Sequence, residues 1–320
     1  MKPPYHITPL ILGQVASISE KIGEVKSANL QKAPTELRKK NRIRTIHSSL
    51  FIEGNTLSLE QITAILNGQR VIAPQKDITE VSNAIAAYDR IASFNPYSLN
   101  SFCSAHAILM KNIVPDAGKL RNRSVGIIKG KDVAHIAPPH DLLQPLMKDL
   151  FSYLKNDRDL MLIKSCVFHY EMEFIHPFSD GNGRMGRLWQ TVLLMQYNPV
   201  FGFLPIETLI RKKQKEYYNA LEKSDKAGNS TLFIEFMLDI IGESLEELLK
   251  GQNISITPSG RMELFRDIVK EKEFTRSDYL RHYKDISAPT ASRDLALAVK
   301  NGVIRKSGDK RLTRYRFDSV

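Results

Sequence analysis

The sequence predicts a mainly α-helical protein with one β-hairpin and a small C-terminal domain of three helices and two strands. Three observations support this prediction. Apolar residues recur every three to four positions through most of the first 250 residues, which is the spacing of amphipathic helices. Short β-prone runs are confined to residues 123–137 and 304–317. A polar segment at residues 251–260, which contains Pro258 and Gly260, separates the two parts.

The helices ahead of this segment follow from the apolar spacing. They are predicted at residues 15–33, 58–68, 77–94, 98–113, 140–155, 158–175, 183–197, 205–227 and 230–250. Ser58 has the character of a helix N-cap, and Gly68 closes the same short helix. Residues 49–55 end a further helix, with Gly54 as its C-terminal cap. The predicted domains are an N-terminal helical region at 1–95, a core domain at 96–250 and a C-terminal domain at 258–320.

The composition excludes some classes of protein and predicts an anionic partner. Apolar residues make up 42% and charged residues 25% of the chain. Both fractions are near globular averages, so neither a disordered nor a fibrous chain is expected. Lys and Arg number 46 against 35 Asp and Glu, which gives a net charge of +11. Such an excess predicts binding to a polynucleotide or to a phosphorylated small molecule.

The cysteines and the apolar runs bear on the cellular compartment. Cys103 and Cys166 are far apart and lie in apolar runs, which excludes a disulfide framework and predicts two buried thiols. The first residues do not have the pattern of a signal peptide. No run approaches the ~18 apolar residues that span a bilayer. A cytoplasmic protein without membrane association is expected.

The most informative segment is the loop at residues 176–187, which reads His-Pro-Phe-Ser-Asp-Gly-Asn-Gly-Arg-Met-Gly-Arg. One helix is predicted to end before Pro177, and the next to begin near Gly183. Glycines allow a tight turn in which successive backbone N–H groups point at one anion. A helix N-terminus favours negative charge at the same place. The loop is therefore predicted to bind an anion.

The loop side chains extend this prediction to a polyphosphate, a metal ion and a base. Arg184 and Arg187 are three residues apart and so share one helix face beside the anion site. Asp180 offers a hard oxygen ligand suited to Mg2+, and His176 can accept a proton near neutral pH. Each feature alone has a structural explanation, since Gly-Asn-Gly is commonly a turn and paired arginines commonly lie on a solvated face. Their combination within twelve residues favours the polyphosphate site.

The loop resembles the signature of Fic-domain proteins, His-Pro-Phe-x-Asp/Glu-Gly-Asn-Gly-Arg-x-x-Arg, at every defined position. The resemblance reaches from about residue 40 to residue 245 and includes Leu109-Met110, residues 115–118 and Pro138-Pro139. It implies a Fic-type helical domain with a β-hairpin flap. It also implies the transfer of AMP from ATP to a Ser, Thr or Tyr hydroxyl of a protein.

The resemblance implies a role for each part of the loop. His176 would deprotonate the target hydroxyl, and Asp180 would hold Mg2+ across the α- and β-phosphates. Gly181, Asn182 and Gly183 would form the anion hole with their N–H groups, and the Asn182 side chain would also lie near the phosphates. Arg184 and Arg187 would neutralise the β- and γ-phosphates. Phe178 is expected to be a buried anchor.

The flap at 123–137 would dock the target segment by strand addition. The complete set of residues expected to contact the nucleotide is Asp180, Gly181, Asn182, Gly183, Arg184, Met185, Gly186, Arg187, Val133, Ala134, His135, Ile136, Tyr217, Tyr218 and Asp225. For Tyr217, Tyr218 and Asp225, a plain position on a helix surface is the alternative.

Residues 49–55 contain a second motif. A glutamate in the last turn of a helix faces the negative end of the dipole, so Glu53 is expected to have a cationic partner. From spacing alone, a surface glutamate near lysines explains the residue as well. Ser49, Glu53, Gly54 and Asn55 resemble the inhibitory motif of Fic proteins, Ser/Thr-x-x-x-Glu-Gly/Asn. This implies that Glu53 pairs with Arg187 in cis and keeps the γ-phosphate from binding productively.

The last sixty residues resemble a winged-helix domain. Helices are predicted at 261–271, after Thr275 and after Ser287, and a two-stranded wing is predicted at 304–317. Residues 261–320 contain 15 Lys and Arg against 9 Asp and Glu. The candidate DNA contacts are Thr290, Ser292, Arg293, Lys306, Lys310, Arg311 and Arg314. A protein–protein interaction module is the alternative.

The first functional hypothesis is a self-restrained protein adenylyltransferase that uses ATP and Mg2+. The alternatives are a nucleotide-sensing DNA-binding regulator, an enzyme with another nucleotide donor, and a deadenylylase in which Glu53 positions water. The intact His176 favours an enzyme, since a sensor needs no base. The expected partner is a protein that offers a hydroxyl, with DNA as a second candidate, and the assembly is left open between a monomer and a homodimer.

Overall fold

The computed structural model describes residues 2–27, 35–123, 126–129, 132–250, 258–270, 272–283, 286–309 and 313–317. For residues 126–129, 132–136 and 267 only the backbone is described. These residues form 14 α-helices and two separate two-stranded sheets. The prediction of a mainly α-helical chain with a β-hairpin is confirmed. Two compact units are present, one of residues 1–31 and 40–249 and the other of residues 32–39 and 250–320. The domain limits predicted from the sequence stay predictions.

Eleven helices precede residue 251 in the described chain. They are α1 Pro9–Ser27, α2 Thr35–Ile52, α3 Leu59–Leu66, α4 Gln75–Asp89, α5 Leu99–Leu109, α6 Leu143–Asn156, α7 Met161–Ile175, α8 Asn182–Tyr197, α9 Ile206–Lys212, α10 Gln214–Ala227 and α11 Thr231–Lys250. The single helix predicted at 205–227 is wrong, because Lys213 leaves helical geometry (φ −106°, ψ 35°) and separates α9 from α10. Neither Gly nor Pro marks this break in the sequence.

Capping contacts explain where α2 ends and where α3 begins. Ser58 and Gln61 form a reciprocal capping box at the start of α3. At the end of α2, Gly54 takes a positive φ of 90°, and the N–H of Asn55 donates to the carbonyl of Leu50 at 3.1 Å. This is the glycine-capped helix end that the sequence predicts, and it places Glu53 just past the last turn of α2.

Helices α7 and α8 form the centre of the first unit. Both are buried on nearly every side, as expected for core helices. An aromatic cluster surrounds them, in which the ring of Phe102 contacts those of Phe151, Phe168, Phe178 and Trp189 at centroid distances of 5.1–5.8 Å. Since the signature loop joins these two helices, both of its ends are attached to the closely packed core of the unit.

The predicted hairpin is present as β1 (Gly126–Lys129) and β2 (Asp132–Ile136). The strands are antiparallel, with Gly126 opposite Ile136 and Lys129 opposite Asp132, and the register shifts between Ile127 and Ile128. Among the described residues these strands pair only with each other.

The second unit contains α12 Pro258–Val269, α13 Arg276–His282, α14 Ala288–Lys300, β3 Ile304–Ser307 and β4 Arg314–Phe317. A Thr275–Asp278 capping box starts α13, and the Ser287 hydroxyl caps α14. The two strands are antiparallel. Phe265, Phe274, Tyr279 and Leu295 lie in a separate apolar core.

Two further expectations concern the cysteines and the membrane. Both thiols are free, with Cys166 buried and Cys103 only partly buried. Burial raises the pKa of Cys166 to about 12, which keeps this thiol protonated and inert. None of the helices in the described part of the chain combines the length and apolarity that a bilayer span requires.

Candidate active site

The loop between α7 and α8 is shaped at its first residue. His176 adopts a left-handed conformation with φ 50° and ψ 58°, which costs a non-glycine residue about 1–2 kcal/mol. Its Nδ1 lies 3.3 Å from the carbonyl oxygen of Glu173. Because a carbonyl can only accept, Nδ1 carries the hydrogen and Nε2 is the nitrogen that can take a proton. This tautomer is the one that a general base needs.

The Asn182 side chain closes the loop on itself. It is only 2% exposed. Its Oδ1 accepts from the Phe178 N–H at 2.9 Å, and its Nδ2 donates to the Phe178 carbonyl at 2.9 Å. Both ends of the side chain are thus bonded to backbone, and its expected position near the phosphates stays a prediction. The Phe178 ring is fully buried, so its predicted role as an anchor is confirmed.

The N-terminus of α8 offers three backbone donors. The N–H of Met185 closes the first turn on the Gly181 carbonyl at 3.0 Å, so the N–H groups of Asn182, Gly183 and Arg184 precede that turn. The N–H of Gly181 donates instead to Asp180 Oδ1 at 2.6 Å. The N–H groups of Asn182, Gly183 and Arg184 therefore lie at the positive end of the α8 dipole, where an anion is favoured. The predicted anion hole of Gly181, Asn182 and Gly183 stays a prediction.

The loop glycines are required by close neighbours. Gly181 has a φ of 82°, and a β-carbon there would lie 2.6 Å from Met110 Sδ. A β-carbon on Gly183 would lie 2.5 Å from Glu53 Oε1. A carboxylate of α2 therefore lies directly against the first turn of α8, where the backbone donors attract an anion.

Arg187 holds that carboxylate. Its Nη2 donates to Glu53 Oε1 at 2.7 Å and to the Ser49 carbonyl at 3.0 Å, and its Nε donates to Ser49 Oγ at 3.1 Å. The Arg187 side chain is 1% exposed and that of Glu53 is 28% exposed. Burial opposes the charge of Arg187, but Glu53 keeps its pKa above the ordinary value. The structure thus brings together the residues of the predicted inhibitory contact.

Arg184 has its own buried carboxylate partner, which the sequence did not reveal. Its Nη1 donates to Glu80 Oε1 on α4 at 2.9 Å, and its Nη2 donates to Asp180 Oδ1 at 3.1 Å. Asn55 Nδ2 donates to the other oxygen of Glu80 at 2.9 Å. Glu80 therefore connects the segment after Glu53 to the first arginine of the loop.

Asp180 is the one candidate metal ligand in the loop, and its side chain is 48% exposed. One oxygen accepts from the Gly181 N–H and from Arg184, so the exposed side chain presents the second oxygen outward. No cluster of three or more His, Cys, Asp or Glu suited to a metal occurs in the described ranges. A single exposed carboxylate fits Mg2+, which is commonly held by one or two carboxylates together with substrate phosphates and water.

A partly buried carboxylate, Glu173, and a buried histidine, His169, lie close to each other on α7. Burial raises the pKa of Glu173 to about 7, and the nearby Arg187 opposes this rise. Glu173 Oε1 is 3.8 Å from His169 Nε2. Burial lowers the pKa of His169 to about 3, so this histidine stays neutral. A β-carbon on Gly186 would lie 2.9 Å from His169 Cδ2 and 3.2 Å from Glu173 Oε1, which makes Gly186 a packing residue between α7 and α8.

Four of the predicted nucleotide contacts differ in burial and bonding. Tyr217 is 1% exposed, and its hydroxyl donates to His169 Nε2 at 3.1 Å. The alternative of a surface position is therefore wrong for Tyr217, which is a core residue, and its nucleotide contact stays a prediction. The side chain of Met185 is fully buried as well. Tyr218 is 36% exposed, and Asp225 Oδ1 accepts from the Tyr170 hydroxyl at 2.8 Å.

The flap contacts stay predictions. The backbone of Val133–Ile136 belongs to β2, and the side chains of these residues lie outside what the structure describes.

Two buried residues that sequence reasoning missed hold the loop from outside. His106 is stacked on the Phe178 ring at a centroid distance of 3.6 Å. Its Nδ1 accepts from the Gly118 N–H at 2.8 Å, so Nε2 carries the hydrogen and donates to the Asp180 carbonyl at 3.0 Å. Burial lowers the pKa of His106, consistent with a neutral ring. The second residue, Arg121, donates to the His176 carbonyl at 2.8 Å.

The candidate DNA contacts lie in the second unit. Arg293, Lys306 and Arg314 are exposed. Thr290 Oγ1 accepts from Arg293 at 3.3 Å, and Ser292 Oγ accepts from Arg276 at 3.0 Å. Lys310 and Arg311 lie outside the described residues.

Known proteins of similar sequence and fold belong to the Fic family. The sequence profile of the Fic/DOC family matches residues 96–194. A crystal structure of a Fic family protein from Desulfovibrio desulfuricans G20 is 38% identical, with a TM-score of 0.75, and the match covers 100% of this chain and 99% of that one. The chain belongs to the Fic family. Its signature loop is the Fic loop, and β1–β2 is the hairpin of the Fic fold.

Curated Fic relatives are named as enzymes. Protein adenylyltransferase fic-1 of Caenorhabditis briggsae is 32% identical over 227 residues, which is 66% of this chain and 42% of that protein. Protein adenylyltransferase Fic of Aedes aegypti is 30% identical over 217 residues, which is 64% of this chain and 41% of that protein. The chain thus spans less than half the length of these relatives.

Proposed function

We propose that this Fic protein is a protein adenylyltransferase that transfers AMP from ATP to a hydroxyl of a protein, including itself. The observation that carries the proposal is the Fic loop. A histidine whose Nδ1 faces the Glu173 carbonyl, three N-terminal amides of α8 and two buried arginines lie within twelve residues. The names of the curated relatives support the same reaction.

The proposed reaction uses each of these groups. Nε2 of His176 takes the proton of the target hydroxyl, and the oxygen attacks the α-phosphorus while the bond to the β-phosphate oxygen breaks and pyrophosphate leaves. The N–H groups of Asn182, Gly183 and Arg184 face the developing negative charge, and Arg184 and Arg187 neutralise the departing phosphates. Asp180 would hold Mg2+, which would supply further charge neutralisation.

The target segment is proposed to bind along the flap. Strands β1 and β2 pair only with each other among the described residues. An outer strand edge is therefore available for an extended segment, which would add by backbone hydrogen bonds.

Glu53 is proposed to restrain the reaction in cis. Its carboxylate lies against Gly183 and pairs with Arg187, the positions at which the γ-phosphate would bind. ATP must displace this carboxylate before its γ-phosphate reaches Arg187. Ser49 supports the restraint, because its hydroxyl and carbonyl hold the same guanidinium.

The test of the proposed reaction compares two positions of the label in ATP. The Glu53→Gly protein, incubated with Mg-ATP, is expected to retain label from the α-phosphate and none from the γ-phosphate. Label from the γ-phosphate would indicate phosphoryl transfer. Loss of AMP from an already modified protein, with no label gained, would indicate the reverse reaction.

A second proposal concerns the C-terminal unit. Its order of three helices and an antiparallel strand pair supports a winged-helix domain. Arg293 on α14 and Lys306 and Arg314 on the strands are exposed, so we propose that this surface binds the phosphates of duplex DNA. Binding of the full chain to a duplex should weaken steeply with salt, and Arg293→Ala should weaken it further. No binding at low salt would favour a protein–protein role.

A further inference from the structure

Arg121 is bonded to the catalytic end of α7. Its Nε donates to the His176 carbonyl at 2.8 Å, and its Nη2 donates to the Ile175 carbonyl at 3.3 Å. Its backbone N–H donates to the Pro177 carbonyl at 2.9 Å. Three successive carbonyls around the left-handed His176 thus accept from one residue. These carbonyls have no intrahelical donor, because they lie at the end of α7 or just after it.

The same guanidinium is bonded to both ends of the flap. Its Nη1 donates to the Arg123 carbonyl at 2.6 Å, ahead of β1, and its Nη2 donates to the Pro138 carbonyl at 2.6 Å, after β2. One side chain therefore joins three segments, namely the catalytic loop and the two chain ends of the hairpin. A planar guanidinium can do this because it offers five N–H donors in a fixed plane, whereas a lysine offers three at one point.

The positive charge of Arg121 is buried among carbonyl groups. Arg121 is 4% exposed, and no carboxylate in the described ranges forms an ion pair with it. Burial lowers its pKa. The cation is instead surrounded by carbonyl oxygens at the C-terminus of α7, where the helix dipole favours positive charge. A buried charge without a counter-ion is expensive, so a role in positioning these carbonyls explains why the residue is an arginine.

We propose that Arg121 is a positioning residue of the adenylyl transfer, which aligns a hydroxyl docked on the flap with His176. The reaction itself rests on the function proposed above. If the flap and the catalytic loop move independently, the attacking oxygen and Nε2 lose their alignment, and a displacement of about 1 Å can lower a rate by about 100-fold.

The first test measures self-adenylylation in the Glu53→Gly background. Arg121→Lys and Arg121→Ala are compared with Arg123→Ala, which removes an exposed side chain two residues away and keeps the carbonyl that Arg121 binds. The rate of adenylate formation is measured by intact-mass spectrometry at several ATP concentrations. Each rate is divided by the concentration of protein that binds ATP, which is measured by calorimetry. We expect maximal rates lower by about 100-fold for Arg121→Ala and about 10-fold for Arg121→Lys, with half-saturating ATP changed by less than about twofold. Arg123→Ala should match the parent.

The rate per ATP-binding molecule distinguishes a positioning role of Arg121 from a purely structural one. A purely structural role would reduce the number of ATP-binding molecules and leave the rate per binding molecule unchanged. An unchanged rate per binding molecule in both Arg121 variants therefore overturns the proposal.

The second test does not depend on the reaction. Amide hydrogen exchange is read on peptides that cover residues 126–137 and 174–184. In Arg121→Ala, exchange should accelerate in both peptides together, while Arg123→Ala should leave both unchanged. Unchanged exchange in Arg121→Ala overturns the proposal even if the Glu53→Gly parent forms no adenylate. A parent that forms no adenylate, with exchange accelerated as expected, overturns the proposed function alone.

Discussion

Replacement of Glu53 by glycine is expected to raise the rate of adenylylation at limiting ATP by about 10- to 100-fold. The magnitude follows from the contact with Arg187, which is a charged hydrogen bond of 2.7 Å with a nearly buried guanidinium. Such bonds contribute about 1.5–3 kcal/mol, and each 1.4 kcal/mol corresponds to about tenfold in an equilibrium. Since the γ-phosphate must displace Glu53, removal of the carboxylate removes this free energy from the barrier to productive binding.

The same substitution is expected to destabilise the protein. Arg187 would keep its bonds to Ser49 but lose the carboxylate that balances its buried charge. We expect the free energy of unfolding to fall by about 1–3 kcal/mol. In a unit of this size, that corresponds to a decrease of about 2–10 °C in melting temperature. The pairing of lower stability with higher activity distinguishes removal of a restraint from general damage.

The assay compares initial rates of adenylate formation in wild type, Glu53→Gly and Glu53→Gln. Glu53→Gln keeps the side-chain shape and avoids the cost of glycine near a helix end, so it should be activated to an intermediate degree. Glu60→Gln is the matched control, because Glu60 is an exposed glutamate nearby on α3. Equal rates in wild type and in both Glu53 variants would refute the restraint.

Three other predictions concern the loop and the core. Asn182→Ala should lower the free energy of unfolding by about 2–4 kcal/mol in chemical denaturation, because it leaves the buried N–H and carbonyl of Phe178 unpaired; a change below about 0.5 kcal/mol would contradict the clamp. Gly183→Ala should lower the melting temperature more in wild type than in Glu53→Gly, since the added carbon meets the Glu53 carboxylate; equal decreases would argue against that contact. Burial raises the pKa of Glu207 from 4.5 to about 7, so the folded chain keeps the carboxyl proton to a higher pH than the unfolded chain does. The free energy of unfolding should therefore fall as the pH rises from about 4.5 to 7. Glu207→Gln should flatten this fall in thermal unfolding, and an unchanged slope would refute the assignment.

The parts of the site that could be predicted are those whose residues are close together in sequence. The Fic loop occupies residues 176–187, and the inhibitory motif occupies residues 49–55. Glu80 and Arg121 escaped prediction because their partners lie far along the chain. Arg184 is 104 residues from Glu80, and the His176 carbonyl is 55 residues from Arg121. A single acidic or basic residue on a helix or in a loop shows no sign of such a partner.

Helix α2 shows a different reason for failure. Only its end was predicted, although it begins at Thr35. Its buried face contains Asn41, Thr45, Ser48 and Ser49 as well as apolar residues, so the apolar spacing that indicates a helix is weak there. Part of that face is polar because Ser49 bonds to Arg187. The contact with Arg187 thus weakens the apolar pattern from which the helix could have been predicted.

The central claim is that His176 activates a hydroxyl for adenylyl transfer once Glu53 is removed. Intact-mass spectrometry of Glu53→Gly, and of Glu53→Gly combined with His176→Ala, tests it most directly after incubation with Mg-ATP. The account predicts a mass gain of one or more adenylates on the first protein and none on the second, with both proteins folded and binding ATP. Adenylate on both at the same rate, or on neither, would contradict it.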